Sequence, residues 1–378
     1  MKRSVRPLLG TMVRLVVVVA LLVTATSACL GHPADPDVVV ASGIDGHSTW
    51  FPTVERLHDG TLVVVYYDAS GHSGPDGRIM LTRSGDGGRT WSAPRVAVDT
   101  PRDDRDPSVV QLADGTLVLS WFEADFSTHP LPTPGGVWTA RSSDNGSTWS
   151  SPVRARSAHL GEGEWTIPPV GAATPGIATS AKIVELPGRS LLLPVYGNRP
   201  DDASGSITVL RSFDGGRTWP PSLELPVASH PPGNSLYEPA LALLGDGSLQ
   251  MAIRTDNVGY WTSSRDGGRT WSPLRPTGPY YQQASDLLPI REGGRRLLLH
   301  TWGDPSGLLG PGRPTVGRIV APDGVGSTPK VIYSRSSDDE SYPSSVQVGP
   351  RTFFTVFYDA TRKIIGGTYS QLSEYLDG

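Results

Sequence analysis

The sequence predicts an all-β protein, a six-bladed β-propeller built from four-stranded antiparallel blades. Three observations predict this fold. An eight-residue motif that ends in tryptophan recurs four times, six segments pair an apolar strand with a turn and a second apolar strand, and turn-forming residues are spread along the whole chain. The 44 glycines and 35 prolines punctuate many short strands, and 37% hydrophobic residues leave enough apolar material for a core.

The recurring motif reads Ser-x-Asp-x-Gly-x-Thr-Trp. Its four copies occupy residues 84–91, 142–149, 212–219 and 264–271, and their tryptophans lie 58, 70 and 52 residues apart. A repeat period of about 50 residues suits one four-stranded propeller blade per copy.

The motif has the composition of a tight hairpin. Its aspartate can accept hydrogen bonds from neighbouring backbone N–H groups, its fifth-position glycine can take a positive φ, and its tryptophan can cover the turn. We therefore predict structural roles, not catalytic ones, for the four motif aspartates, Asp86, Asp144, Asp214 and Asp266.

Six strand-turn-strand segments give the blade count. They begin near residues 51, 106, 181, 238, 286 and 342, and three of the six carry Asp-Gly at the turn. The last unit has only about three strands before the chain ends, which would leave an unpaired edge. The apolar stretch 38–41, ahead of the first blade, is predicted to supply the missing strand and close the ring. Residues 37–378 are thus expected to form one propeller domain.

The N-terminal region has the features of an export signal. A basic leader precedes an apolar run at 15–23, small residues follow at 24–28, and Cys29 is the only cysteine in the chain. We predict a signal peptide at 1–28, lipidation of Cys29 and a tether at 29–36, which makes the protein a bacterial cell-surface lipoprotein. Ordinary secretion is the alternative.

Composition and motifs exclude several function classes. The 33 basic and 37 acidic residues form no basic block, so nucleic acid is not expected as a partner. The sequence has no motif for binding a metal, a phosphate or a nucleotide, and the eight histidines have no ligand spacing. We expect a monomer without metal or cofactor that meets the membrane only through its lipid anchor.

From about residue 40 onward the chain resembles bacterial exo-sialidases. The octets look like the Asp-boxes of that family, segment 236–254 resembles its catalytic glutamate and second clamp arginine, and Tyr342 opens the sixth blade. The resemblance implies a tyrosine nucleophile, Tyr342, with Glu238 as its base. It also implies that Arg254 and Arg313 hold the carboxylate of an acidic sugar.

The chemistry of such a site is consistent with these residue types. The anomeric carbon of sialic acid bears a carboxylate, which would repel an anionic nucleophile. A neutral tyrosine hydroxyl, deprotonated by a nearby glutamate during attack, avoids that repulsion. The planar fork of arginine binds a carboxylate through two hydrogen bonds.

One position departs from the family. Trp50 stands where these enzymes have the first arginine of the clamp, and a lost charge-assisted hydrogen bond of this kind is worth about 1.5–3 kcal/mol. Arg56, Arg102 or Arg105 could replace the missing arginine. Alternatively, Trp50 could stack on a sugar face, which would suit a neutral glycan or a different acidic one.

The acid/base residue is expected on the loop that follows Tyr67. Asp76 is the first candidate because it lies on a Gly/Pro-containing stretch at the rim, and Asp68, which directly ends a strand, is the second. The cluster Asp104-Arg105-Asp106 could form a substrate-binding rim or a solvated turn.

The sequence therefore predicts an exo-α-sialidase-like glycoside hydrolase that removes terminal acidic sugars from extracellular glycans with retention. A propeller hydrolase or lyase of another glycan, and a surface protein that binds glycans without cleaving them, are the alternatives.

Overall fold

The computed structural model describes residues 35–125, 133–161, 176–199, 202–228, 235–290 and 296–376. For residues 125, 133–135 and 202–204 it describes the backbone only. The predicted signal peptide, Cys29 and most of the tether lie outside these residues. Within the described part of the chain, no helix has the length and apolar character needed to cross a membrane.

The fold is a six-bladed β-propeller, as the sequence predicts. The first strand, β1 (Val38–Ser42), precedes the first blade. Blades one and two are formed by β2 (Ser48–Arg56), β3 (Leu62–Ala69), β4 (Arg78–Ser84) and β5 (Arg95–Val98), and by β6 (Asp103–Gln111), β7 (Leu117–Asp125), β8 (Thr133–Ser142) and β9 (Val153–Ala155).

Blade three has five strands, and blade four returns to four. They comprise β10 (Ile177–Ala178), β11 (Val184–Glu185), β12 (Leu191–Arg199), β13 (Asp202–Ser212) and β14 (Leu225–Ala228), and then β15 (Tyr237–Leu243), β16 (Leu249–Arg254), β17 (Tyr260–Ser264) and β18 (Arg275–Pro276). A 3₁₀ turn (Pro221–Leu223) precedes β14.

Blades five and six complete the ring. They comprise β19 (Gln283–Pro289), β20 (Leu298–Gly303), β21 (Thr315–Val320) and β22 (Lys330–Tyr333), and then β23 (Glu340–Gln347), β24 (Thr352–Asp359) and β25 (Ile364–Gln371), followed by the short helix α1 (Leu372–Leu376). Strand β1 pairs antiparallel with β25 as the outermost strand of blade six. The predicted closure by the N-terminal strand is confirmed.

The inner strand of blade three is interrupted. Both β10 and β11 pair with β12, and Pro194 of β12 faces the gap between them. Proline has no N–H to donate to a neighbouring strand, so the ladder cannot run through this position. The hydroxyl of Thr179 donates to the carbonyl of Pro194 over 2.9 Å and satisfies that group instead.

The four Asp-boxes are the hairpins that the motif predicts. In the first, Asp86 Oδ1 accepts the backbone N–H of Thr90 and its Oδ2 accepts the Thr90 hydroxyl. The fifth-position glycines have φ between +77° and +96°. Because each box joins the third and fourth strands of its blade, it lies at the end of the propeller opposite to the start of the inner strands. This placement agrees with a structural role.

Candidate active site

Five inner strands begin with the same irregularity. Near the start of each, a residue has positive φ and the register with the second strand shifts, as expected for a β-bulge. The residues are Phe51, Asp106, Glu238, Ala284 and Tyr342. In four of the five blades the next residue is proline, which cannot donate to the ladder. The bulges therefore recur at one end of the central channel, which we call the mouth.

Tyr342 and Glu238 meet at the mouth from blades six and four. The Tyr342 hydroxyl donates to Glu238 Oε1 over 2.7 Å. The other carboxylate oxygen accepts the backbone N–H of Ala284, in blade five, at 3.0 Å. Bulges of three blades thus build one hydrogen-bonded unit.

Arg254 compensates the charge of Glu238. Its Nη1 lies 2.8 Å from Glu238 Oε1, and the side chain of Glu238 is 7% exposed. Arg254 is the last residue of β16, and Glu238 lies near the start of the neighbouring strand β15. Burial raises the pKa of Glu238, but the Arg254 guanidinium and the hydrogen bonds from Arg254 and Tyr342 more than offset this and leave the pKa below its ordinary value. Burial, with the nearby Glu238 charge, holds the pKa of Tyr342 well above its ordinary value. The pair is therefore a carboxylate beside a neutral phenol.

Arg313 lies on the other side of Tyr342. Its guanidinium carbon is 5.5 Å from the centroid of the Tyr342 ring. Arg313 lies on the loop before β21. The Nε of Arg313 donates to the backbone carbonyl of Glu340 over 2.7 Å. The structure thus brings together the four side chains that the sequence places at one mouth: Tyr342, Glu238, Arg254 and Arg313.

A carboxylate that the sequence interpretation missed lies beside Arg313. Asp339 accepts hydrogen bonds from Tyr358 at 2.7 Å and from the indole nitrogen of Trp50 at 3.3 Å, and Arg313 Nη2 is 3.5 Å away. Burial raises the pKa of Asp339. The hydrogen bond and charge of His72 lower it, as do the hydrogen bonds from Tyr358 and Trp50. Together they outweigh burial and bring the pKa to about 2. No sequence signal distinguishes Asp339 from its neighbours in segment 336–339, which precedes β23.

Trp50 is buried. It is 3% exposed, and its ring lies against those of Tyr67 and His72. The expectation that Trp50 stacks on a sugar does not fit this burial. Its indole N–H donates to Asp339.

No described contact joins any of the three arginines considered as replacements to Tyr342, Arg254 or Arg313. Arg105 is buried against the rings of Phe51, Tyr67 and Phe122 and pairs with Asp103 at 3.1 Å. Arg102 lies 3.8 Å from Glu123 in blade two. Arg56 ends β2, at the far end of the channel.

The cluster 104–106 belongs to strand β6 and is buried, so the alternative of a solvated turn is wrong. Asp106 Oδ1 has no hydrogen-bond partner among the described residues. Burial raises the pKa of Asp106 to about 7; Arg105 opposes this rise and the charge of Glu238 adds to it. The repeated X-Pro at the inner strand starts could have placed Asp106 at the mouth from sequence alone.

The two acid/base candidates differ in exposure. The side chain of Asp76 is 39% exposed; its Oδ1 accepts the N–H of Ser70 at 3.3 Å and its Oδ2 lies 3.6 Å from His47. Asp68 is fully buried, where its Oδ2 accepts from His47 and Arg78 at 2.9 Å each. Among the described contacts, neither aspartate touches Tyr342, Glu238, Arg254 or Arg313.

A cavity of about 40 Å³ lies in the channel below the mouth, lined by residues that include Phe51, Asp106 and Tyr342. It has room for water but not for a sugar. Among the described residues, no group of three or more His, Cys, Asp or Glu side chains could hold a metal ion.

Comparison with known proteins gives the family. The model of the BNR repeat-like domain matches residues 102–354, two thirds of the chain. The chain belongs to the BNR repeat-like family. Comparison with curated protein sequences gives no match.

Solved structures show the same fold as this BNR repeat-like chain. A protein of unknown function from Dyadobacter fermentans superposes with a TM-score of 0.74 at 20% identity, covering 88% of this chain and 96% of its own. The Hadza microbial sialidase Hz136 has a TM-score of 0.66 at 17% identity, covering 87% of this chain and 66% of its own. The intramolecular trans-sialidase of Ruminococcus gnavus has a TM-score of 0.63 at 13% identity, covering 91% and 98%. At these identities the likeness shows a sialidase-like fold.

Proposed function

We propose that the protein is a retaining glycoside hydrolase of the sialidase type, which removes terminal sugars from glycans. The observation that carries the proposal is the 2.7 Å hydrogen bond from the Tyr342 hydroxyl to Glu238, beside two guanidinium groups at one mouth. The likeness in fold to one protein named a sialidase and to another named an intramolecular trans-sialidase supports a glycosidase of this type.

In this proposal Tyr342 is the nucleophile and Glu238 its base. As Tyr342 attacks the anomeric carbon, its proton moves to Glu238 along the existing hydrogen bond, and a covalent glycosyl-tyrosine forms. Arg254 keeps Glu238 ionised, which is the form that can accept the proton. The distance already satisfies the requirement for a base within hydrogen-bond reach of the proton it takes.

Asp76 is proposed as the acid/base residue. It would protonate the leaving oxygen in the first step and activate water in the second, which gives net retention. Its side chain is partly exposed on a loop of blade one, where a leaving group could reach it. Asp68, fully buried between His47 and Arg78, is less accessible to a leaving group.

The sequence predicts an acidic sugar as the substrate, and the two guanidinium groups of Arg254 and Arg313 favour that choice. The carboxylate of Asp339 beside Arg313 opposes it, and so does the lack of a third arginine beside these two in the described contacts. The proposed reaction type therefore does not depend on which sugar the site accepts.

A panel of 4-methylumbelliferyl glycosides tests the reaction. The panel contains α-N-acetylneuraminate and the common neutral sugars. We expect turnover of at least one member and loss of about 10³-fold or more in kcat in Tyr342→Phe. Tyr369→Phe is the matched control, because it also removes one tyrosine hydroxyl and its one described hydrogen bond, to Gly87 at the opposite rim.

Mass spectrometry of the protein after reaction with a fluorinated glycoside of the best substrate should find the sugar on the peptide that contains Tyr342. Glycan binding without turnover of any panel member would instead favour the non-catalytic alternative. An unsaturated product would favour a lyase.

Export and lipidation remain proposals drawn from residues 1–36. Labelling of the wild type with a radioactive fatty acid in a bacterial host, and loss of the label in Cys29→Ala, is the result we expect. Equal labelling of both forms would contradict lipidation at this cysteine.

A further inference from the structure

We infer that the mouth accepts a sugar that presents hydroxyl groups to Arg313 and Asp339, and that it excludes a sugar with a carboxylate at the anomeric carbon. The inference rests on the proposed function, because it concerns the substrate of the same site. It depends on the position and charge of Asp339.

Asp339 is held in place from several directions. Its Oδ1 accepts the Tyr358 hydroxyl at 2.7 Å and lies 3.1 Å from His72 Nδ1, and its Oδ2 accepts the indole N–H of Trp50 at 3.3 Å. Its own backbone N–H donates to Ser337 Oγ at 3.1 Å. A carboxylate with this many partners on three elements does not leave the site without breaking several bonds.

Arg313 has little left to offer a ligand carboxylate. Its Nε donates to the Glu340 carbonyl and its Nη1 to Gln283 Oε1 at 3.1 Å. Its Nη2 lies 3.5 Å from Asp339 Oδ1 and in contact with the Tyr358 hydroxyl. All three nitrogens therefore already have protein acceptors, so two parallel hydrogen bonds to a ligand carboxylate would have to compete with Asp339, Tyr358 and Gln283.

Each of the two predicted clamp arginines already has a carboxylate partner. Arg254 pairs with Glu238 and Arg313 with Asp339. In place of the family's first clamp arginine stands Trp50, which is neutral and donates its indole N–H to Asp339. A second carboxylate at this position would meet the charge of Asp339, and each of the two arginines there already has a carboxylate partner.

The same arrangement suits a hydroxyl-bearing sugar. The side chain of Asp339 is 41% exposed, so its oxygens can accept hydrogen bonds from ligand hydroxyls while its other bonds remain. Carboxylates are acceptors only when ionised, and hydroxyls are the donors that sugars provide. Asp339 is thus a specificity-determining residue, and the substrates it favours are glycosides of neutral aldoses.

A pair of probes that differ only in the carboxylate tests the inference without any turnover. The probes are 2,3-didehydro-2-deoxy-N-acetylneuraminic acid and its methyl ester, and calorimetry measures their binding to the wild-type protein and to Asp339→Asn. We expect the wild type to bind the ester at least as tightly as the acid. We expect Asp339→Asn to bind the acid about tenfold more tightly than the wild type does, with little change for the ester.

Asp338→Asn is the matched control. It removes the same charge from the adjacent, exposed residue and should leave both affinities unchanged. Asp339→Ser is a second variant in case Asp339→Asn does not fold, and the melting temperature of each variant is measured beforehand.

Three results would overturn the inference. The first is a wild type that binds the acid tenfold more tightly than the ester. The second is weaker binding of the acid by Asp339→Asn. The third is that neither probe binds Asp339→Asn, since removal of Asp339 would then not open the site. Failure of the proposed function would show instead as absent turnover across the glycoside panel, whatever the two affinities are.

Discussion

The hydroxyl of Tyr342 donates to the carboxylate of Glu238 across the mouth of the propeller, between residues 104 positions apart in the sequence. The two belong to blades six and four, which are not neighbours in the ring. Both sit at bulges with positive φ, a backbone conformation that costs roughly 1–3 kcal/mol for a residue other than glycine. The closed ring of blades holds these strained positions in place, and the proposed chemistry uses the contact that results.

Replacement of Arg254 by methionine should impair both stability and activity. Glu238 would remain buried without its cation, and removing one partner of a buried ion pair costs about 3–5 kcal/mol. The pKa of Glu238 should rise, because burial is its largest influence and would no longer be offset. The acid limb of the pH–rate profile should therefore move to higher pH, and the profile with the best panel substrate measures this.

Arg296→Met is the control for this prediction. Arg296 pairs with Asp246 at 2.5 Å, but its side chain is 58% exposed, and exposed pairs contribute about 0–1 kcal/mol. Its stability and pH profile should match those of the wild type. An unchanged acid limb in Arg254→Met would show that Glu238 is not the base whose ionisation limits the rate.

The aspartates of the Asp-boxes should support stability without affecting chemistry. Asp214 accepts the backbone N–H groups of Arg217 and Thr218 and the Thr218 hydroxyl at 2.6–2.9 Å, at the rim opposite to Tyr342. Asp214→Ala should lower the free energy of unfolding by roughly 1–3 kcal/mol. Urea denaturation measures the loss, while kcat/KM at a temperature where both forms are folded should stay within about twofold of wild type.

Asp99→Ala provides the comparison, since Asp99 is exposed and makes no described hydrogen bond. It should not change the urea midpoint. A tenfold fall in kcat/KM of folded Asp214→Ala would contradict the purely structural role of the boxes.

The fold could be predicted from the sequence because its information is local and repeated. Each Asp-box encodes its own hairpin through Asp, Gly and Trp, and the strand-turn-strand segments give the blade count. The convergence of Glu238, Arg254 and Tyr342 could also be predicted. In an antiparallel hairpin the start of the first strand lies beside the end of the second, and the inner strands of all blades start at the same end of the propeller.

The parts of the site that were missed depend on long-range contacts. Asp339 gains its role from Trp50 and His72, which are 289 and 267 residues away, and no local pattern encodes such proximity. The interruption of the blade-three inner strand depends on Pro194 in the neighbouring strand. The sequence showed that an arginine was missing at Trp50 but could not show what replaced it.

The loop that carries Asp76 should be sensitive to a single methyl group. A Cβ on Gly77 would collide with Asp103 Oδ1 and with the ring of Tyr67, which are buried and bonded to each other at 2.7 Å. Gly77→Ala should displace the adjacent Asp76, and a misplacement of about 1 Å can cost roughly 10²-fold in rate. We expect kcat to fall by about 10–100-fold, measured with the best panel substrate.

Gly71→Ala in the same loop is the matched control, because its Cβ would meet only Ser73 O at an ordinary 3.4 Å. It should retain wild-type kcat. Full activity of Gly77→Ala, with loss of activity in Asp68→Asn, would transfer the acid/base role to Asp68.

Stability should increase as the pH falls from 8 to 5.5. Burial raises the pKa values of Asp106, Asp104 and Glu340 to about 7, whereas in the unfolded chain these carboxyls titrate near 4. Between about pH 4 and 7 these three carboxyls then bind more protons in the native state than in the unfolded state. The buried His300 opposes them by one proton below about pH 6.5, because burial holds its pKa well below the ordinary value. The stabilisation is complete below pH 4 and is lost as the pH rises through 7. Calorimetry should give a melting temperature at pH 5.5 that exceeds the value at pH 8 by roughly 2 °C or more.

Asp106→Asn should flatten this dependence, because the amide is neutral at every pH and Asp106 Oδ1 has no partner to lose. The Asp-box aspartates do not obscure the effect. Hydrogen bonds from Thr90 and its counterparts lower the pKa values of aspartates such as Asp86 and Asp266, so these groups release their stabilisation only below about pH 4. Asp99→Asn, which changes an exposed carboxylate, should keep the wild-type slope. A melting temperature that rises from pH 5.5 to 8 would mean that the three buried carboxyls are ionised and paired in the folded protein.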